Sequence, residues 1–403
     1  MTKQVRLHKP LVAGVLEALE TSFGKGFYAD KVIERLFKNN RQWGSRDRGF
    51  VAETTYEMVR WWRLLWEIYG KEPTLKRKEL YRLLGVYWQF KGNELPDWPQ
   101  FETVNGLDVK GRLNAITDVA IKESFPEWFH ELALKELGNE WPKIAHELNT
   151  PAQLILRANT LKTTREEVIR TLAEEEITAE ALPINDVGLV LPERANTFRK
   201  ESFQKGMYEV QDGGSQMIAP FLDVKPGQRV VDACAGAGGK TLHLAALMQN
   251  KGSIIAMDVE GWKLNELKKR AARNGAHNIE TRTIDSTKVI KRLHKAADRL
   301  LMDVPCSGTG VIKRNPDSKW KIKPEYLERV MKIQRDILND YSKMLKPGGL
   351  MVYATCSILK SENEYQVERF IEENENFTLI EQKRVNPSSY SDGFFMALIE
   401  KKA

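Results

Sequence analysis

The chain has 403 residues, 42% hydrophobic and 29% charged, with a formal net charge of +7 and a pI near 9.0. That length predicts two or three domains with ample material for a core, and the basic balance favours a polyanionic partner. No stretch approaches the ~20 apolar residues that span a bilayer, the start Met1-Thr-Lys-Gln-Val-Arg-Leu-His-Lys-Pro10 lacks a signal-peptide core, and three cysteines cannot close a disulfide framework, so a reducing cytoplasm is expected.

Residues 1–146 are predicted to be helical. Leu11, Val12, Val15, Leu16 and Leu19 form one period-3.6 stripe, and Val51, Met58, Val59, Trp62, Leu65 and Trp66 form another. Eight of the ten tryptophans fall in this region, enough to predict a bundle that buries its own core and folds as an independent unit. Ser124, followed by Pro126, Glu127 and an apolar run, is a helix-start signal. Residues 147–211 change character. Leu154-Ile-Leu-Arg-Ala-Asn159 and Gly188-Leu-Val-Leu191 predict strands, and Thr164 with Glu167 three residues on predicts a capped helix over 164–175. A small α+β subdomain follows from these elements.

Over 212–403 strands and helices alternate. Strands are expected at 228–234, 252–258, 279–284, 298–304 and 349–355, and helices at 240–249, 261–274, 324–345 and 361–374. A closing strand pair is expected at 377–381 and 393–401. The fold class is α/β, a doubly wound sheet with helices on both faces. The six histidines are scattered without ligand spacing, so no metal is expected.

Chemistry concentrates at the predicted strand ends. The run Val230-Val-Asp-Ala-Cys-Ala-Gly-Ala-Gly-Gly-Lys-Thr241 is a strand, a glycine-rich turn and a helix start. A phosphate-binding P-loop needs glycine where Cys234 stands, and a dinucleotide fingerprint needs glycine where Thr241 stands, so both fail. An S-adenosylmethionine loop, which needs no phosphate cradle, survives. Asp258 ends the second strand, about 20 residues beyond the glycine loop, where a carboxylate would bind ribose hydroxyls. Asp285 follows the third strand and Asp303 the fourth. One such aspartate is ordinarily a turn or cap residue; successive carboxylates facing one crevice point to a ligand. Cys234, Cys306 and Cys356 also each follow an apolar run, whereas a lone cysteine is ordinarily a small buried hydrophobe.

These blocks resemble the RNA (cytosine-5)-methyltransferases that use two cysteines. The resemblance rests on Val210-Gln-Asp-Gly-Gly-Ser-Gln216, the loop from Asp232 to Thr241, Met302-Asp-Val-Pro-Cys-Ser-Gly-Thr-Gly310, Tyr353-Ala-Thr-Cys-Ser357 with Glu362-Asn-Glu364, and Asp392-Gly-Phe-Phe395. Ser45-Arg-Asp-Arg-Gly-Phe50, leading into Tyr56-Glu-Met-Val-Arg-Trp61, is similar to the NusB-type helical domain of the bacterial ribosomal RNA branch. The glycine loop departs from the family's Cys-Ala-Ala-Pro-Gly-Gly-Lys, because Gly236 and Ala237 replace Ala and Pro.

The resemblance implies a Rossmann-like class I methyltransferase domain and an S-adenosylmethionine site at Cys234, Ala235, Gly236, Ala237, Gly238, Gly239, Lys240, Asp258, Asp285 and Asp303. It implies Cys356 as nucleophile on cytosine C6, Asp303 at the ring's N3 and amine, Pro305 lining the base site and Cys306 assisting release. Lys313 and Arg314, with Lys319, Lys321 and Lys323 beyond them, are candidates for RNA phosphates. The expected substrate is ribosomal RNA of the small subunit, with the helical domain as an RNA grip and a monomer as the active form. Transfer RNA is the alternative substrate, and a non-catalytic RNA-binding assembly factor is the alternative of a different class.

Overall fold

The computed structural model describes residues 7–193 and 195–403. Six of the ten opening residues weighed above for a signal sequence lie outside them. The chain forms two compact units, one running through Asn149 and taking in Asn315–Ile322, the other comprising Thr150–Arg314 and Lys323–Ala403.

The first unit is a helical bundle, with helices including Lys9–Gly24, Ala29–Asn39, Ser45–Arg60, Trp62–Tyr69 and Arg77–Phe90. Both predicted stripes are buried and form one apolar cluster, in which Phe23 stacks on Trp62 at 4.0 Å between ring centres. Ser124 caps a different helix from the one expected. Its Oγ accepts the Arg63 amide at 3.0 Å, in the first turn of Trp62–Tyr69, while the following helix runs Glu127–Leu137.

The expectation that residues 1–146 complete their own core is corrected by Asn315–Ile322. Trp320 packs against the bundle's apolar cluster and donates its indole N–H to the Val59 carbonyl at 2.8 Å. Lys319, only 2% exposed, points its ammonium at the Arg60, Glu123 and Ser124 carbonyls (3.2, 3.1 and 3.2 Å) and at Asn149 Oδ1 (2.6 Å). Lys321 donates to the Phe27 carbonyl and pairs with Asp317. Lys319 and Lys321 thus serve internal acceptors, not phosphates. Buried carbonyls need donors, and a sequence window around residue 319 cannot show acceptors that lie hundreds of positions away.

The second unit holds two sheets. In the smaller, β1 (Leu154–Ala158) pairs antiparallel with β3 (Gly188–Leu191) and β4 (Tyr208–Val210), and β2 (Glu180–Ala181) flanks β3. Thr164 and Glu167 close the expected capping box on helix Arg165–Glu174, with reciprocal bonds of 3.2 and 3.0 Å. β2 and β4, two and three residues long, carry too few residues for a period-2 signal and were not expected.

The larger sheet contains β5 (Arg229–Asp232), β6 (Ser253–Asp258), β7 (Ile279–Thr283), β8 (Ala297–Asp303), β9 (Leu345–Thr355), β10 (Phe377–Val385) and β11 (Phe394–Lys401). Its order is β10-β11-β9-β8-β5-β6-β7, parallel except for β11 against β9 and β10. The five parallel strands and closing pair match expectation. The helix expected at 324–345 stops at Tyr341, and a short turn carries the chain to Leu345, which already pairs with Ala297. Val231, Ile255, Leu300 and Met351 pack on one face of the sheet, while Val230, Ile254, Leu301 and Val352 pack on the other. Alternation by single residues lets helices cover both sides. The chain order reverses between β5 and β8, a crevice outside the strand ends where ligands bind in open sheets.

Candidate active site

The cofactor loop begins at the end of β5. Gly236 and Gly238 have φ of +54° and +91°, in the left-handed region that glycine enters without strain. Gly238 is also confined by packing, because a Cβ there would lie 2.5 Å from Leu267 Cγ. A Cβ at Gly236 meets nothing within 4 Å, leaving open space beside the loop. The Asp258 carboxylate, at the end of β6, accepts the Gly236 amide at 2.9 Å through Oδ2 and the Glu260 amide at 2.8 Å through Oδ1. Asp258 therefore shapes the glycine loop as well as facing the crevice, a role the sequence does not reveal. Beyond it, Val259 and Trp262 are exposed.

The small sheet braces the same loop. Arg157 of β1, 2% exposed, donates to the Gly239 carbonyl at 2.8 Å and bonds to Gln211. Arg270 donates to the Ala237 carbonyl at 2.8 Å and pairs with Glu209 of β4, also at 2.8 Å. Asp232, below the loop, accepts the Thr241 hydroxyl at 2.7 Å. Burial pushes its carboxyl up to about 7, against the lowering effect of that hydrogen bond. Burial also pushes the Cys234 thiol up, reinforced by Asp232, Asp303 and Asp258, so Cys234 stays protonated as a wall of the loop.

At the ends of β8 and β9 the remaining groups converge. Lys240 Nζ lies 2.5 Å from Asp303 Oδ2. Burial disfavours the ammonium, but the charge and hydrogen bond of Asp303 prevail and raise its pKa. Cys306 and Cys356 are free cysteines with their sulfurs 3.2 Å apart. The Cys306 thiol is pushed up by its hydrogen bond to Cys356, then by burial and by the charges of Cys356 and Glu362. The two thiols share one hydrogen bond, which either sulfur can donate. Pro305 is exposed beside them, its carbonyl accepting from Gln334 at 3.0 Å.

The other expected site residues each have partners within the chain. Asp285 is exposed just past the edge strand β7 and accepts the Ser286 hydroxyl at 3.0 Å. Lys313 is 4% exposed and donates to the Ser388 carbonyl at 2.6 Å. Arg314 sits between Asp392 (2.6 Å) and Asp212 (2.9 Å), where burial and then the charge of Asp212 push the Asp392 carboxyl up to about 6 despite the guanidinium. Both cations are engaged within the unit, in place of the phosphate contacts expected for them. Arg314 finds acidic partners 102 and 78 positions away, a proximity that basic composition cannot predict.

Sequence reasoning also gave no role to the groups behind the cysteines. Each cysteine is followed by serine, and that repeated Cys-Ser dipeptide was the available signal. Gly310 donates to the Cys356 carbonyl at 2.9 Å, and a Cβ on Gly310 would lie 2.1 Å from the Gly393 carbonyl. A Cβ on Gly393 would in turn lie 2.7 Å from Ile358 Cγ2 and 2.9 Å from Gly310 Cα, which explains the glycine in Asp392-Gly-Phe-Phe395. Among the described residues no cluster of three His, Cys, Asp or Glu side chains is placed to hold a metal, and no helix is long and apolar enough to cross a membrane.

The family model for 16S rRNA methyltransferase RsmB/F matches residues 219–399, and that for the RsmF/B-like ferredoxin-like domain matches residues 125–197. A probable ribosomal RNA small subunit methyltransferase B from Synechocystis is 34% identical, over 93% of this chain and 95% of its own. The crystal structure of PH0851 superposes with a TM-score of 0.80 at 25% identity, covering 99% of this chain and 100% of that one. That of NSun6 from Pyrococcus horikoshii with SFG gives 0.64 at 23% identity, over 70% and 99% respectively, and shares the fold.

Proposed function

The chain belongs to the ribosomal RNA small subunit methyltransferase B family, and from that membership we propose that it methylates C5 of a cytosine in small-subunit ribosomal RNA, using S-adenosylmethionine, in the bacterial cytoplasm. The observation that carries this reading is the pair of free sulfurs 3.2 Å apart beside the Lys240–Asp303 ion pair.

The residues present fit the cofactor. Gly236 opens onto free space, Asp258 stands at the end of β6, and the relative crystallised with SFG, an analogue of S-adenosylmethionine, has the same fold. Residues 234–240 and Asp258 would hold S-adenosylmethionine, with Asp285 at the rim. When bound, the cofactor supplies an electrophilic methyl group on a sulfonium.

Cytosine C5 is a poor nucleophile, so electrons must be pushed into the ring. The Cys356 thiolate adds to C6, forming the S–C6 bond and opening the C5=C6 double bond. Asp303 holds N3 and the exocyclic amine, and Lys240 keeps that carboxylate oriented. C5 then takes the methyl group. The C5 proton passes to water in the open crevice, the C–H electron pair restores the C5=C6 double bond, the S–C6 pair leaves on the Cys356 sulfur, and Cys306 serves proton transfer at that departing sulfur. The exposed Pro305 lines the entrance for a base that has left its stack. The helical unit grips RNA away from the target, and the chain acts as a monomer.

The test uses the two cysteine variants with ribosomal and transfer RNA from a strain lacking the protein. Cys356→Ala is expected to give neither methylation nor adduct, whereas Cys306→Ala should accumulate a covalent protein–RNA adduct that survives denaturing electrophoresis. Bisulfite sequencing should find the new 5-methylcytosine in small-subunit RNA. Methylation confined to transfer RNA would overturn the substrate, and an adduct from Cys356→Ala would reverse the cysteine roles.

A further inference from the structure

Behind the two sulfurs lies a carboxylate the reaction scheme does not use. Glu362 is fully buried, in the short turn before helix Glu364–Glu373. Its Oε1 accepts the Ser307 amide at 2.7 Å and the Gln334 side-chain amide at 3.0 Å. Its Oε2 accepts the hydroxyls of Ser307 and Ser357, both at 2.5 Å. Ser307 directly follows Cys306, and Ser357 directly follows Cys356. One carboxylate therefore joins the loop leaving β8 to the loop leaving β9 at the residue next to each sulfur. Gln334 also donates to the Pro305 carbonyl, and the Tyr353 hydroxyl donates to the carbonyl of Glu362 itself at 2.6 Å. A buried carboxylate with every donor directed inward is a rigid junction, because each bond is charge-assisted and no water competes.

We propose that Glu362 is a positioning residue that clasps the two cysteine loops and sets the distance between their sulfurs. It touches no substrate. It acts through Ser307 and Ser357, holding Cys306 close enough to exchange a proton with Cys356 as the product departs; this rests on the reading of the two thiols as the reacting pair. Glutamine disrupts this junction. With its amide at the Oε1 position, –NH2 would face the fixed Ser307 N–H, and the Gln334 carboxamide would have to turn and give up its bond to the Pro305 carbonyl; at the Oε2 position, both hydroxyls would have to reverse.

The clasp is measurable without RNA. Diamide oxidises two adjacent thiols, taking up their two protons and two electrons to become the hydrazine while the Sγ–Sγ bond forms. In the intact protein, peptide mapping should show a Cys306–Cys356 disulfide forming rapidly. Glu362→Gln is expected to slow it about tenfold or more, the factor set by losing hydrogen bonds to a charged group. With RNA, the same variant should lose turnover by a similar factor while KM for RNA and cofactor affinity stay within about twofold. If Glu362→Gln does not fold, Ser357→Ala, which leaves the carboxylate its three other donors, is read the same way. Disulfide formation as fast as in the parent would overturn the clasp, and so would a rise in KM with unchanged turnover. Because oxidation is followed on the free protein, a methyl group found away from cytosine C5 would overturn the proposed reaction and leave the clasp standing.

Discussion

Asp232 and Asp258, one under the cofactor loop and one at its rim, differ in what surrounds them. Asp232 is 1% exposed and holds its proton up to about pH 7, whereas an unfolded aspartate releases it near 4. Its contribution to stability is therefore complete below about pH 4 and is lost as pH rises through about 7. Asp232→Asn keeps the shape and removes the titration, so urea unfolding should show the variant gaining on the parent from pH 5 to pH 8, by on the order of 2–4 kcal/mol. A constant difference across that range would contradict the burial argument. Asp258 is already bonded to two backbone amides, so Asp258→Ala loosens the glycine loop as well as removing a ribose partner. Calorimetry should show cofactor affinity falling by about 1.5–3 kcal/mol, and unchanged affinity in a folded variant would remove Asp258 from the site.

At the scale of elements, the helix Gly239–Leu247 starts from Gly238 in a left-handed conformation, with Leu267 of the neighbouring helix filling the space a side chain would need. Gly238→Ala adds backbone strain of about 1–2 kcal/mol and a clash with the leucine. Thermal unfolding should drop by several degrees, and cofactor binding should be lost before the fold is; an unaltered melting temperature would show that the loop relaxes freely. The strands were legible because apolar runs ending in Asp or Cys are long enough to carry a pattern. The helix end at Tyr341 and the helix start at Glu364 were less so. There the chain passes through the short turns Ser342–Met344 and Lys360–Glu362, whose hydrogen bonds depend on neighbouring elements.

For the whole molecule, the finding with the largest consequence is Asn315–Ile322, which belongs to the helical unit although it follows the Cys306 loop in sequence. A fragment beginning near residue 150 keeps this segment but lacks the carbonyls that Lys319 serves and the apolar cluster that covers Trp320. The fragment is therefore expected to be aggregation-prone and to show exposed tryptophan fluorescence, while a fragment of residues 1–149 should be less stable than the same unit in the intact chain. In the full protein, Lys319→Ala leaves buried acceptors without a donor, and equilibrium unfolding should record a loss of about 2–4 kcal/mol. Wild-type stability in that variant would mean the segment is only loosely held.

The sequence by itself determined the fold class, the strand order of appearance, the glycine loop and the cysteine-bearing strand ends. These depend on local patterns: alternation along a strand, glycine where φ is positive, and the residue that ends each apolar run. Tertiary structure alone decided that Arg314 is held by Asp212 and Asp392, that Lys319 is buried in the helical unit, and that Glu362 joins the two serines beside the sulfurs. Each of these is a charged group whose role depends on partners distant in the chain. A charge reads the same in sequence whether it faces water or is buried, and only the packed fold specifies the acceptors and donors that remove it from solvent.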